Sequence, residues 1–194
     1  MKILVLVDLQ ADFINGSLGT PEAQAIVPKV VDKLRNYPDK GNTLLLYTKD
    51  THKKNYLETF EGKRLPVEHC IENTPGWCIN KEIASWGDNN DFLYCSCAEV
   101  IKSRIYKSTF GSDILRDLLI EYQNEIDEIE FIGLCTDICV ISNVLMARQA
   151  LPNVKIIVDA SCCAGTTLEA HKAALLVMKS CQIDVIGEEE NNVV

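Results

Sequence analysis

Short apolar runs alternate with longer segments of helical apolar spacing along this chain of 194 residues. The short runs predict buried strands, and the spaced segments predict helices. Continuous apolar strands that alternate with helices are typical of a mostly parallel sheet with helices on both faces. The pattern therefore predicts an α/β fold, with a three-layer α/β/α arrangement around an open, mostly parallel sheet. The predicted strands are 2–8, 42–50, 99–107, 127–134, 153–160 and 181–186, and the predicted helices are 21–37, 111–123, 138–151 and 167–180.

Two segments depart from this regular alternation. The helical pattern 21–37 contains Pro28, which interrupts it. The region 51–98 mixes Trp, Cys, His and Gly and fits the alternation poorly. A long irregular segment inside a compact domain is often functional. We expect a single domain over 1–194, with an irregular active-site segment at about 51–98.

Composition and charge narrow the function classes. Hydrophobic residues make up 47% of the chain and charged residues 24%, as in an ordinary soluble globular protein. The formal net charge of −9 argues against a nucleic-acid partner, which would need a basic surface. No run of about 18 apolar residues occurs, so we expect no membrane span.

The chain contains nine cysteines. Its start, MKILVLVDLQADF, meets Asp8 too early for a signal peptide and is interpreted as a buried strand. Without a secretory signal we expect no disulfide framework, and we expect a reducing, cytoplasmic location. Most of the thiols should then behave as small buried hydrophobic side chains.

Charged and reactive side chains fall at the carboxyl ends of the predicted strands. Asp8, Asp50, Lys107 and the turn 134–139 each lie at the end of such a run. Ligands of an open α/β sheet bind beyond the carboxyl ends of its strands. We therefore expect these groups to share one cleft.

Cys139 is the candidate nucleophile of that cleft. If its helix begins near Thr136 and Asp137, the thiol lies in the first turn. Free N–H groups and the helix dipole there stabilise a thiolate and can bind an oxyanion. Lys107 would add to this effect, and Asp8 could take the thiol proton. The alternative is a buried thiol, an exposed lysine and a capping aspartate without chemistry.

A second cluster follows the predicted strand 42–50. Asp50 and His52 are two positions apart, and His69 lies in the irregular segment. One carboxylate and two imidazoles can bind a divalent ion such as zinc, manganese or iron and leave positions open for water or substrate. A surface histidine and a turn aspartate are the alternative. The third histidine, His171, is interpreted as a helix-surface residue.

Five motifs carry a resemblance to a known family and occur in its order: VDLQADFINGSL (7–18), YTKDTH (47–52), LPVEHCIENTPGW (65–77), YKSTFGS (106–112) and FIGLCTDICV (131–140). Together they resemble the isochorismatase-like cysteine hydrolase superfamily, specifically its nicotinamidase/pyrazinamidase branch. The match runs through nearly the whole chain. The first and last motifs indicate the superfamily, whereas the aspartate–histidine pair and the HC motif indicate the branch. The resemblance implies an isochorismatase-like, Rossmann-like hydrolase fold.

The resemblance implies a role for each matching residue. Asp8 would be the general base, Lys107 its positively charged partner and Cys139 the nucleophile. The peptide between Leu134 and Cys135 is usually cis in the family. The backbone amides of Cys135 and Cys139 would form the oxyanion hole, so that Cys135 needs no reactive thiol.

The resemblance also implies a metal site and a substrate. Asp50, His52 and His69 would bind a divalent ion, with zinc expected and manganese or iron left open. Glu61 is either an additional ligand or a solvated glutamate, and the second reading is favoured. The implied reaction converts nicotinamide to nicotinate and ammonia through a cysteine thioester, in NAD salvage. Pyrazinamide, which carries the same amide on a similar ring, is an expected side substrate.

The substrate pocket departs from the family pattern. Relatives often carry an aromatic residue before the proline of the HC motif, where this chain has Leu65. Phe13 or Trp77 could contact the substrate ring instead. The alternatives are a core role for Phe13 and a lid role for Trp77.

Other functions are compatible with such a fold. One is a related hydrolase of another small amide or ureido compound, and another is a catalytically silent binding module. The spacing of Cys135 and Cys139 is not C-x-x-C, which argues against thiol–disulfide redox chemistry. The oligomeric state is left open, and a homo-oligomer is compatible with the sequence.

Overall fold

The computed structural model describes residues 1–37, 43–87 and 104–188. These residues contain one sheet, whose strands are β1 (Lys2–Val7), β2 (Thr43–Asp50), β3 (Arg104–Lys107), β4 (Glu128–Leu134), β5 (Lys155–Ala164) and β6 (Asp184–Ile186). The strands lie in the order β3-β2-β1-β4-β5-β6. Every neighbouring pair is parallel, so the prediction of a mostly parallel sheet is confirmed.

The α-helices of the described residues follow or precede these strands in alternation. They are α1 (Ala11–Ile14), α2 (Pro21–Asn36), α3 (Lys81–Gly87), α4 (Asp113–Glu121), α5 (Ile141–Ala150) and α6 (Leu168–Ser180). Two short 3₁₀-helices, Tyr56–Glu58 and Pro75–Trp77, lie between β2 and α3. A π-helical turn, Thr136–Val140, leads directly into α5. In the part of the chain that the structure describes, no helix has the length and apolar character needed to cross a membrane.

Side chains of β1 alternate between two hydrophobic cores, one on each face of the sheet. Ile3 and Val5 pack in the core that α4, α5 and α6 cover. Leu4 and Leu6 pack in the core that α1 and α2 cover. A parallel strand buried on both faces explains the continuous apolar run at the start of the sequence. The predicted three-layer α/β/α arrangement is therefore confirmed.

The irregular segment predicted at 51–98 has partial secondary structure. It contains the two 3₁₀-helices and then α3, and its last residues, 88–98, lie outside the described residues. Residues 99–103 of the predicted third strand lie outside them as well, whereas 104–107 form β3. That the whole chain forms one domain stays a prediction.

Helix α2 is continuous through Pro28, so the predicted interruption at this residue is wrong. The Thr20 side chain caps the helix by accepting a hydrogen bond from the Ala23 amide at 3.0 Å. The apolar face of the helix, including Ile26 and Val30, is buried against the sheet. Packing of this face outweighs the single backbone hydrogen bond that a proline removes.

A buried ion cluster holds α2 against the sheet. The Lys33 ammonium lies 2.5 Å from Glu130 Oε1 on β4 and 2.6 Å from Asp159 Oδ2 on β5. The Tyr37 hydroxyl donates a hydrogen bond to Glu130 Oε2 at 2.9 Å. Burial opposes ionisation of Asp159, but hydrogen bonds from Lys33 and Ser161 lower its pKa below the usual value. The cluster therefore depends on its one ammonium group to balance two buried carboxylates.

The strand order reverses at β1, and this reversal positions the candidate site. From β1 the chain moves outward through β2 to β3 and then returns to β4 on the other side. Asp50 pairs with Lys107, while Val7 pairs with both Thr48 and Gly133. The carboxyl ends of β1 to β4 therefore meet at the crevice where such sheets bind ligands.

Candidate active site

Asp8 follows β1 and is fully buried. Its φ of 48° lies in the left-handed region, which aspartate tolerates better than most residues. The Asp8 amide donates to the Thr48 carbonyl at 3.2 Å, and the Thr48 hydroxyl donates to Asp8 Oδ1 at 2.7 Å. These bonds to the neighbouring strand hold the carboxylate in one orientation and leave Oδ2 directed at Lys107.

Lys107 connects the groups predicted to form the triad. Its Nζ lies 2.6 Å from Asp8 Oδ2 and 3.5 Å from the Cys139 sulfur. The same ammonium donates to the Thr109 carbonyl at 3.1 Å and lies 3.7 Å from Asp50 Oδ1. The structure therefore brings Asp8, Lys107 and Cys139 together in one buried site, as the strand-end pattern predicts.

Burial dominates the electrostatics of these three groups. It raises the pKa of Asp8, an effect that the Lys107 charge opposes. It raises the pKa of the Cys139 thiol as well, and the Asp8 carboxylate adds to this increase. Burial alone would lower the pKa of Lys107, but Asp8, Cys139 and Asp50 raise it above its ordinary value. The lysine is therefore charged, and the resting thiol is protonated.

The thiolate stabilisation expected from the helix terminus is thus outweighed by burial. Cys139 is only 6% exposed, so the negative form loses its hydration. A protonated cysteine can act as a nucleophile when an adjacent base takes its proton. Asp8, held by Lys107, is the base that this site offers.

The Cys139 turn is held close to the end of β1. The Leu134–Cys135 peptide is cis, as the family resemblance implies. Gly133 has a φ of 127°, and a Cβ there would lie 2.1 Å from the Val7 carbonyl oxygen. Glycine is needed at this position because any side chain would separate β4 from β1.

The carbonyl of Cys135 starts the helical hydrogen bonding of the turn. It accepts hydrogen bonds from the Ile138 amide at 3.0 Å and from the Val140 amide at 3.1 Å. The second of these spans five residues, which gives the turn its π-helical character. Such turns are frequent at functional sites. The Cys139 thiol projects from this turn and not from a regular α-helix.

Asp50, His52 and His69 form a second buried cluster beside the triad. One ligand atom from each side chain lies within 4.8 Å of the others. Asp50 Oδ2 is 2.9 Å from His52 Nε2 and 3.5 Å from His69 Nε2. His69 Nδ1 is 2.8 Å from the Val67 carbonyl, which fixes Nδ1 as the donor and leaves Nε2 as a free ligand atom.

This cluster fits a divalent metal ion. His52 Nε2 is buried and makes no hydrogen bond of acceptable geometry, although it lies beside the Asp50 carboxylate. A metal ion would satisfy that nitrogen. Glu61 Oε1 lies 3.8 Å from both His52 Nε2 and His69 Nε2, so its carboxylate is close to the cluster, and its role as ligand or solvated side chain stays a prediction. Two imidazoles and one or two carboxylates suit zinc, manganese or iron.

The charges of the Asp50, His52 and His69 cluster also favour a metal ion. Burial opposes ionisation of Asp50, but the adjacent imidazoles of His52 and His69 lower its pKa well below the usual value. Burial would lower the pKa of His69, but the neighbouring Asp50 carboxylate raises it. Asp50 is therefore ionised and available as an anionic ligand.

The three residues predicted to contact the substrate differ in their placement. Phe13 is nearly buried, and its ring lies 5.5 Å from that of His69, at the edge of the metal cluster. Leu65 is 38% exposed, and its backbone carbonyl accepts the Tyr56 hydroxyl at 3.1 Å. The Trp77 ring instead contacts groups on the β2–β3 side.

Trp77 stacks on Tyr106 with a centroid separation of 5.5 Å. The Lys49 ammonium lies 3.2 Å from the centre of its ring, and its Nε1 donates to the Thr51 hydroxyl at 2.9 Å. These contacts occupy the indole on both a ring face and its Nε1, which favours the lid alternative for this residue.

Comparison with known proteins identifies the family. A family model described as the isochorismatase domain matches residues 2–190 of the chain. The chain belongs to the isochorismatase family. The nicotinamidase of Escherichia coli (strain K12) is 28% identical over 200 residues, which cover 92% of this chain and 90% of that protein.

Solved structures support the same isochorismatase-family fold. Pyrazinamidase/nicotinamidase from Streptococcus mutans UA159 matches with a TM-score of 0.77 and 23% identity, over 96% of this chain and 100% of that one. Pyrazinamidase of Pyrococcus horikoshii in complex with zinc matches with a TM-score of 0.71 and 24% identity, over 96% and 99% of the two chains. The predicted resemblance to the nicotinamidase/pyrazinamidase branch is confirmed.

Several supporting residues of this isochorismatase-family site have no signal in the sequence alone. Gln10 is buried, donates to the Asp50 carbonyl at 2.8 Å and accepts from the Asp50 amide at 2.7 Å. Tyr56 is fully buried against the rings of His52 and His69, at 4.6 and 4.9 Å. The local sequence around Gln10 or Tyr56 predicts neither role, because each depends on contact with a segment that is distant in sequence.

Asn143 and His171 also support the site from a distance. The Asn143 side chain donates to the Cys139 carbonyl at 2.7 Å and to the Phe110 carbonyl at 3.1 Å, and accepts from the Ser112 amide at 3.1 Å. His171 is half-buried, and its Nδ1 lies 2.8 Å from the Thr136 hydroxyl. The interpretation of His171 as a helix-surface residue is therefore wrong, since α6 packs directly on the Cys139 turn.

Proposed function

We propose that this chain is a metal-dependent amidohydrolase that converts nicotinamide to nicotinate and ammonia. One observation carries the proposal: a buried Cys139–Lys107–Asp8 contact lies beside a buried Asp50, His52 and His69 cluster. The first group suits covalent hydrolysis of a carboxamide, and the second suits anchoring of a ring that carries a metal-binding nitrogen. The similarity to the nicotinamidase of Escherichia coli supports this reaction.

The first half of the proposed reaction forms a thioester. The Asp8 carboxylate accepts the thiol proton as the Cys139 sulfur attacks the carboxamide carbon. Lys107 stabilises the negative charge that remains on this pair of groups. Protonated Asp8 then gives its proton to the departing nitrogen, and ammonia leaves.

The second half restores the enzyme. Water attacks the thioester carbon while Asp8 accepts one of its protons. The C–S bond then breaks, Asp8 returns that proton to the Cys139 sulfur, and nicotinate leaves after its carboxyl proton passes to solvent. In both halves the developing oxyanion is bound by the backbone amides of Cys135 and Cys139. Cys135 thus contributes an N–H group, and its own thiol has no part in the reaction.

Asp50, His52 and His69 are the proposed metal ligands, with Glu61 as a fourth. Zinc is the proposed ion because the donor set suits it and because the pyrazinamidase of Pyrococcus horikoshii was solved with zinc. When bound, the ion supplies a contact for the ring nitrogen of a pyridine carboxamide. Pyrazinamide, which has a nitrogen at the equivalent ring position, is the proposed side substrate.

The ring pocket is proposed to use one aromatic wall. Phe13 lies beside His69 and can cover one face of a pyridine ring. Leu65 would provide an aliphatic contact where relatives often have an aromatic residue. We place the activity in NAD salvage, in the cytoplasm, where the nine cysteines of the chain stay reduced.

Ammonia release from nicotinamide tests the proposal. Purified protein in zinc-containing buffer should release ammonia from nicotinamide and pyrazinamide, and more slowly from benzamide, which lacks the ring nitrogen. A strong chelator should reduce turnover of nicotinamide, and added zinc should restore it. Absence of ammonia from nicotinamide in zinc-replete buffer would overturn the proposed function.

The nucleophile has its own test. Cys139→Ala should abolish ammonia release and leave the melting temperature close to that of the wild type, since only one small buried sulfur is lost. Cys78→Ala is the matched control, because Cys78 is exposed and lies outside the proposed chemistry. Turnover by Cys139→Ala at the wild-type rate would show that another group attacks the amide.

A further inference from the structure

The turn that carries Cys139 is attached to α6 and to the β5–α6 connection by a second set of side chains, which take no part in the proposed chemistry. Thr136 is fully buried, and its hydroxyl lies 2.8 Å from His171 Nδ1. Asp137 Oδ1 accepts from the Thr166 amide at 2.8 Å, and Asp137 Oδ2 accepts from the Thr166 hydroxyl at 2.6 Å. We call Thr136, Asp137, Thr166 and His171 the docking cluster.

A glycine makes this close contact feasible. A Cβ at Gly165 would lie 2.8 Å from Asp137 Oδ1, 2.8 Å from His171 Cβ and 2.9 Å from the His171 amide nitrogen. Only a residue without a side chain allows the β5–α6 connection to approach both groups. The sequence therefore provides the hydrogen-bonding groups and the space that they require.

The docking cluster holds the backbone on which the proposed oxyanion hole depends. Cys135 directly precedes Thr136, and Cys139 follows Asp137 by two positions. Amide donors stabilise a transition state only if they are already aimed at the place where charge develops. A misplacement of about 1 Å can cost about a hundredfold in rate. Thr136, held by α6, and Asp137, held by the β5–α6 connection, lie between these two amides and therefore affect the geometry of both.

We propose that Thr136 and Asp137 are positioning residues, which hold the backbone amides of Cys135 and Cys139 for the tetrahedral intermediate through their bonds to His171 and Thr166. This proposal deepens the proposed function and rests on it. The docking cluster touches neither the metal ligands nor Phe13 in the contacts described above. Its loss should therefore reduce transition-state stabilisation and leave substrate binding almost unchanged.

An isosteric pair of variants separates this role from simple folding support. Thr136→Val keeps the shape of the buried side chain and removes the hydroxyl that His171 contacts, whereas Thr136→Ser keeps the hydroxyl. Thr20→Val is the matched control, because it removes a threonine hydrogen bond in the remote helix α2. We expect Thr136→Val to lower kcat about ten- to a hundredfold with KM changed less than about threefold. Thr136→Ser should recover most of the loss, and Thr20→Val should lower only the melting temperature.

A second measurement does not depend on turnover. Pyridine-3-carbaldehyde forms a reversible thiohemiacetal: the Cys139 sulfur bonds to the carbonyl carbon, the π electrons move to the oxygen, and the thiol proton ends there. Its oxygen occupies the place of the oxyanion. Iodoacetamide instead alkylates the sulfur with loss of iodide and forms no oxyanion. We expect Thr136→Val to weaken aldehyde binding by the factor seen in kcat, while the alkylation rate of the Cys139 peptide, followed by mass spectrometry, stays at the wild-type value.

Each outcome bears on one claim. Equal aldehyde affinity in Thr136→Val and the wild type, or an equal loss of alkylation and aldehyde binding, would overturn the positioning role. Wild-type protein that binds the aldehyde without hydrolysing nicotinamide would overturn the proposed function instead. The ratio of the aldehyde affinities of the wild type and Thr136→Val would still decide the positioning role. If Thr136→Val does not fold, Asp137→Ala compared with Asp137→Asn gives the same test at a partly exposed position.

Discussion

Replacing Lys107 with methionine removes the one ammonium group that contacts Asp8 and Cys139 in the described residues. The Lys107–Asp8 separation is 2.6 Å, and both side chains are almost completely buried. At an effective dielectric constant of about 20, unit charges at this distance attract by about 6 kcal/mol. Removal of one partner of a buried pair costs about 3–5 kcal/mol if the other partner stays charged. Asp8 can escape this cost by taking up a proton.

Protonation of Asp8 is the expected response, and it disables the site. Burial already raises the pKa of Asp8, and the Lys107 charge is the largest effect that opposes this rise. Each unit of pKa corresponds to about 1.4 kcal/mol, so loss of several kcal/mol shifts the Asp8 pKa by several units. At neutral pH the carboxyl group of Lys107→Met would be neutral. It could then no longer accept the Cys139 proton, and turnover should fall by about a thousandfold.

The pH dependence of kcat/KM for nicotinamide distinguishes this mechanism from general damage. In the wild type the Lys107 ammonium, 2.6 Å from Asp8 Oδ2, favours the ionised carboxylate, so activity should change little between about pH 6 and 8. In Lys107→Met, activity should rise with pH, because a raised carboxyl pKa means that the base form appears only as the solution becomes alkaline. Lys107→Arg keeps the charge and should retain more activity at pH 7. A Lys107→Met enzyme within tenfold of the wild type at pH 7, or one whose loss does not depend on pH, would refute the reasoning.

Three other changes have expected outcomes that purified protein can test. Lys33→Met should lower the free energy of unfolding by about 3–5 kcal/mol in urea titrations. The deficit should shrink below about pH 4 as Asp159, whose pKa lies below its usual value in the folded protein, takes up a proton. Lys29→Met, on the exposed face of α2, should have little effect. Glu61→Gln should weaken zinc binding about tenfold in competition with a chromophoric chelator, and equal affinity to the control Glu58→Gln would exclude Glu61 as a ligand. Asn143→Leu should cost at least about 2 kcal/mol, measured by thermal unfolding, because three backbone groups, two of them in buried hydrogen bonds, lose a partner.

The reactive residues were predictable because a simple rule of parallel sheets brings them together. Asp50 and Lys107 each end a strand and Asp8 directly follows one, and the carboxyl ends of neighbouring parallel strands lie at one edge. Cys139 follows the next strand, so its place in the same crevice follows from the alternation of strands and helices. The same pattern made Cys139 the candidate nucleophile and Asp8 the candidate base, whereas the oxyanion-hole amides and the substrate came from the family resemblance alone.

The supporting residues were not predictable, for a physical reason. Gln10 fastens Asp50 across 40 positions of sequence, and His171 reaches Thr136 across 35. A glutamine or histidine in a helix or loop has the same local pattern whether its partner is another segment or water. The predicted interruption at Pro28 is wrong for a related reason, since helix propensity is a weak preference that packing of an apolar face overrides.

Asp50 makes the metal cluster and the thiol site a single unit. Its Oδ2 faces His52 at 2.9 Å, while its Oδ1 lies 3.7 Å from the Lys107 ammonium that also contacts Cys139. Gln10 fixes the Asp50 backbone through both its carbonyl and its amide. The Asp50 carboxylate therefore cannot rotate toward the histidines without moving away from Lys107, or the reverse. Under the proposed function, a ring held at the Asp50, His52 and His69 cluster is thereby set at a fixed distance from the sulfur. Metal binding and covalent chemistry must therefore be lost together when Asp50 is replaced, whereas replacement of His52 should affect the metal first.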